Sequence, residues 1–70
     1  TMNNPNAKNI EANNLKVIKE QLAQEALMNK KYNECSCQSQ DQAIKTLCGE
    51  ASQLHKQNFQ TLKTYLDSHQ

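Results

Sequence analysis

Two residues of this chain set a chemically capable side chain on an otherwise apolar helical stripe: Glu25 and His55. A carboxylate and an imidazole at one height can form a hydrogen-bonded pair inside a protein or ligate a divalent metal. The position three before His55 is Ser52, and the nearest acid, Glu50, lies five residues upstream and off the stripe. There is therefore no Glu-x-x-His ligand pair, and also no Gly-rich loop and no nucleophile–His–acid arrangement. These absences predict a protein that is not an enzyme, with no catalytic residue and no cofactor. Three cysteines, Cys35, Cys37 and Cys48, are the remaining reactive groups. Cys35 and Cys37 are two apart and point in nearly opposite directions on a helix, with no fourth zinc ligand in reach. The odd count predicts reduced thiols in a reducing compartment, Cys35 and Cys48 acting as small apolar filling and Cys37 most exposed.

The elements that must position these groups are two helices of similar length. Leu15, Ile18, Leu22, Glu25, Asn29, Tyr32 and Ser36 follow steps of three and four, with Val17, Met28 and Cys35 widening one edge. The second stripe is more regular: Ile44, Leu47, Cys48, Ala51, Leu54, His55, Asn58, Phe59, Leu62, Tyr65 and Leu66. Its seven-residue spacings favour packing at a shallow crossing angle. The pattern predicts a helix over about 10–37, a turn over about 38–41 and a helix over about 42–68. Asn6 or Asn9 is the expected cap of the first helix. Ser39 or Asp41 is expected to cap the second, Ser39 and Gln42 having the spacing of a capping box. Gly49 falls on the face opposite the second stripe, as a tolerated surface glycine. Residues 1–9, Asn-rich and containing the one proline, read as a disordered arm.

Composition narrows the partners. Eight Lys, no Arg and a net charge of +1 lack the basic excess of a nucleic-acid binder. No apolar run is long enough to span a bilayer, and no charged-then-apolar signal opens the chain. The expectation is a cytoplasmic protein, not exported by a signal peptide, with neither nucleic acid nor membrane as partner.

Hairpin geometry supplies a pairing rule. If the turn centres near Gln40, residues whose numbers sum to about 80 share a height. Leu15 then meets Tyr65, Ile18 meets Leu62, Leu22 meets Asn58, Glu25 meets His55 and Tyr32 meets Cys48. The reading of Glu25 and His55 that follows is a buried pair fixing helix register. Seventy residues with 36% hydrophobic content cannot cover both stripes. The fold class is therefore all-α: an antiparallel two-helix hairpin that dimerises into a four-helix bundle. Its core and interface are assigned to Leu15, Ile18, Leu22, Tyr32, Ile44, Leu47, Ala51, Leu54, Phe59, Leu62, Tyr65 and Leu66.

The stretch Gln24-Glu25-Ala26-Leu27-Met28-Asn29-Lys30-Lys31-Tyr32-Asn33-Glu34, a Cys/Gln/Asp turn, then Leu47-Cys48 and His55, resembles the spore coat protein F family of endospore-forming bacteria. The resemblance covers roughly residues 15–66. It implies a ferritin-like helical fold, a structural, self-associating role in or around the spore coat, and other spore coat proteins as partners. It also raises an alternative, a ferritin-like iron or manganese binder using Glu25 and His55. Against that stands the shortage of bridging carboxylates.

Overall fold

Between Ala12 and Gln38 no glycine or proline interrupts the chain, and the helix runs unbroken. The computed structural model describes residues 10–69, so the expectation for residues 1–9 lies outside it. Helix α1 is Ala12–Gln38 and helix α2 is Gln42–Ser68. They pack antiparallel about a turn at Ser39-Gln40-Asp41, and the described residues contain no strand. The all-α hairpin expected from periodicity is present, with boundaries within two residues of those read from the sequence.

The caps differ in part. Helix α1 starts two residues late, after Glu11, which makes no side-chain capping bond; Asn6 and Asn9 lie outside the described residues. At α2, Asp41 is the cap: its carboxylate accepts from the backbone N–H groups of Ala43 at 2.8 Å and Ile44 at 3.2 Å, satisfying two orphan donors. The capping box does not form. Ser39 instead accepts from the Asp41 N–H at 3.1 Å, which tightens the turn, while Gln42 donates to Thr46.

Reciprocal bonds close the hairpin above the turn. Ser36 Oγ donates to the Lys45 carbonyl at 2.9 Å, and Lys45 Nζ donates to the Ser36 carbonyl at 2.8 Å. Gly49 sits beside this clamp, not on the outer face as its register suggested. A Cβ there would meet Ser36 Oγ at 3.5 Å, an ordinary contact.

The interface is thin. Among the described residues only Glu25, Cys48, Ser52 and Leu66 are buried, and no large side chain is fully enclosed. Two of those four are polar, so hydrogen bonds and register, more than a closed apolar core, define how the helices face one another.

Candidate functional site

Helix α1 brings Glu25, and helix α2 brings His55, to the middle of the hairpin. His55 Nδ1 and Glu25 Oε1 are 2.5 Å apart, with side-chain exposures of 24% and 9%. A carboxylate can only accept, so Nδ1 carries the proton and donates. Gln21 Nε2 donates to the other carboxylate oxygen at 2.7 Å, and Asn58 Nδ2 approaches Oε1 at 3.4 Å. The His55 hydrogen bond holds the Glu25 carboxyl below its usual range; Gln21 acts the same way, and burial opposes them more weakly. Tyr32 lies flat on the imidazole, ring centroids 5.7 Å apart and planes 5° from parallel. The His55 ring of α2 is thus held by two residues of α1, the stacking face of Tyr32 and the charge-assisted bond to Glu25.

A second polar layer lies one turn away. Asn29 Nδ2 donates to the Ser52 carbonyl at 2.8 Å and to Ser52 Oγ at 2.9 Å, while Ser52 Oγ donates back to the Asn29 carbonyl at 3.0 Å. The pairing rule anticipated Glu25 with His55, and the Asn29–Ser52 contact obeys it within one residue. Tyr32 departs from it: a long side chain reaches past its own height to His55, where Cys48 was expected.

Cys48 is bonded elsewhere. Cys35 and Cys48 form a disulfide, their Cα atoms 6.0 Å apart. The expectation of three reduced thiols is corrected here, and the reducing compartment inferred from the odd count loses its support. An odd count excludes full pairing, not one bridge, and the closing hairpin brings these two positions face to face. Cys37 is free and exposed, on the side its register indicated.

The apolar assignments divide into three groups. Leu66 is buried; Leu15, Ile18, Leu22, Tyr32, Ala51, Phe59 and Leu62 are half-buried. Ile44, Leu47, Leu54 and Tyr65 are exposed, Leu47 by 61% and Leu54 by 54%. On α2 they succeed one another at steps of three, seven and eleven, which at about 100° per residue keeps them on one flank. The helices are antiparallel and the Glu25–His55 and Asn29–Ser52 contacts fix their facing sides. The same angular step then puts Val17 and Met28 of α1 on that side of the hairpin too, with His55 and Tyr32 between the flanks. Gln24 of α1 and Asn58 and Thr61 of α2 fall at the same angular steps, so the apolar residues of this side form separate stretches on either side of the His55 layer.

Among the described residues no three His, Cys, Asp or Glu side chains converge as a ligand cluster. No helix of the structure is long and apolar enough to cross a membrane. Sequence reasoning missed Ser52, noted only for not being an acid, and Gln21, one turn before Glu25 on the same edge. For Gln21 the signal was a polar residue at helical spacing from a buried partner; Ser52 is recognised only through Asn29 on the facing helix. Among known proteins, no protein-family model, curated protein or solved structure matches the chain.

Proposed function

We propose that the chain is a structural, self-associating protein whose hairpin is half of a four-helix bundle. The observation that carries this reading is the exposed apolar side formed by Ile44, Leu47, Leu54 and Tyr65 together with Val17. Two 27-residue helices side by side, each about 40 Å long and 10 Å wide, present roughly 800 Å². That equals one partner's share of a standard protein interface, about 800 Å². A second copy supplies a surface of matching length and chemistry, and the hairpin's own thin interface leaves that side uncovered.

The alternative, iron or manganese held by Glu25 and His55, would need carboxylate oxygens that are engaged already. One Glu25 oxygen takes His55 and the other takes Gln21. The placement of such an assembly in a sporulating bacterium rests on the coat protein F resemblance alone. Detection of the protein in purified spore coats tests that part. For self-association, isotope-filtered NMR of a sample mixing labelled and unlabelled chains should show contacts between copies from the Leu47 and Leu54 methyls. Their absence at concentrations where the chain is fully folded overturns the reading.

A further inference from the structure

Glu25 is the fourteenth of the 27 residues of α1, and His55 is the fourteenth of the 27 of α2. The pair therefore marks the midpoint of the hairpin. Two identical hairpins overlapping along their full length can be related with their turns at one end or at opposite ends. Only residues at the midpoint reach the same height in both arrangements. His55 also sits between the apolar flanks, with Ala51 one turn before it and Leu62 two turns after it on the side a second copy would cover.

The chemistry of the ring is set by its partner. Nδ1 is committed to Glu25, so in the neutral imidazole Nε2 carries the lone pair. Among the described residues Nε2 has no hydrogen-bond partner, and 24% of the side chain still reaches solvent. Covering an acceptor nitrogen with an apolar surface is unfavourable unless something satisfies it. A second identical nitrogen cannot, because both are acceptors. A divalent cation can, and a carboxylate that accepts from the other ring N–H is the outer-shell arrangement that orients metal-bound histidine and raises its basicity.

We infer that two copies of this chain bind one late divalent transition metal, of the zinc class, between their His55 Nε2 atoms, with Glu25 positioning each ring. This rests on the self-association proposed above. Glu25 is not a ligand, which separates the site from one built on bridging carboxylates. Imidazole nitrogen selects zinc, copper and nickel over magnesium and manganese. Two protein ligands leave two tetrahedral positions to water.

The test is titration of the metal-free protein with zinc chloride, read by equilibrium dialysis and analytical ultracentrifugation. A Cys37→Ser background removes the free thiol. One zinc per two chains is expected, with the dimer dissociation constant lowered at least tenfold and restored by EDTA. His55→Gln should lose both effects, whereas His69→Gln should keep them. Glu25→Gln keeps the ligand but should weaken zinc binding roughly tenfold to a hundredfold. If His55→Gln fails to fold, the Glu25→Gln comparison and the stoichiometry still decide. A dimer that takes up no zinc overturns this site and leaves self-association standing. A chain that stays monomeric with and without zinc overturns both, and one zinc per monomer overturns the shared site.

Discussion

Reducing the Cys35–Cys48 bridge should lower the stability of the hairpin substantially. The bridge spans a sequence separation of 13 and encloses the turn. In the chain-entropy account, a cross-link over a loop of that length is worth about 3 kcal/mol at room temperature, because it removes open conformations from the unfolded ensemble. For a domain of this size each kcal/mol moves the melting temperature by about 4–8 °C, so reduction should lower it by about 12–24 °C. The effect is large because so little else is buried: of the apolar residues among those described, only Cys48 and Leu66 reach that state. The assay is thermal unfolding by circular dichroism with and without a phosphine reductant, at fixed protein concentration so that association does not confound it. Thiol titration in denaturant accompanies it and should find one reactive group per chain, Cys37. Three reactive thiols in unreduced protein would refute the bridge. One thiol with an unchanged melting temperature would refute the loop-entropy reasoning while leaving the bridge in place.

Three further outcomes follow from single features. The Glu25 carboxyl is held below its ordinary value of 4.5, so its contribution to stability is complete above that value and is lost as pH falls through the lower folded value. Urea midpoints should accordingly drop between pH 5 and pH 3 more steeply in the native chain than in Glu25→Gln; equal slopes would contradict the pairing. Gly49→Ala places its methyl group in ordinary contact with Ser36 and should stabilise the hairpin by about 0.4–1 kcal/mol in denaturant unfolding; a loss of stability would show that Ser36 cannot accommodate it. Leu47→Gln with Leu54→Gln should leave the helices intact and weaken association. Each leucine keeps over half its surface exposed, so about 1 kcal/mol per site, counted at both sites of both copies, gives roughly a thousandfold rise in the dissociation constant. An unchanged constant by ultracentrifugation would remove that side from the interface.

Helix positions, the turn and the central pair were legible in the sequence because each follows from a period. Apolar steps of three and four locate two helices, and a hairpin needs one more number, its turning point, to pair residues across it. That number placed Glu25 opposite His55. Features set by side-chain reach or by competition between equivalent groups were less visible. Tyr32 extends past its own height to lie on His55, which no residue-by-residue register can show. Asp41 and Ser39 were both competent caps, and the choice depended on backbone angles at the turn. Cys35 and Cys48 sum to 83, close enough to the pairing rule to have suggested a contact; treating the cysteine count as a constraint on every thiol obscured it. Ser52 was hidden for a different reason, since a buried serine has no periodic signal of its own and is recognised only through Asn29.

The central claim, that the hairpin is half of a bundle, is tested most directly by sedimentation equilibrium of the unmodified, metal-free chain. Concentrations from roughly 1 to 500 µM bracket association free energies of about −8 to −4.5 kcal/mol. The account predicts a mass rising to twice the 8.0 kDa of one chain and levelling there. A folded, helical species holding at 8.0 kDa across the whole range would contradict it.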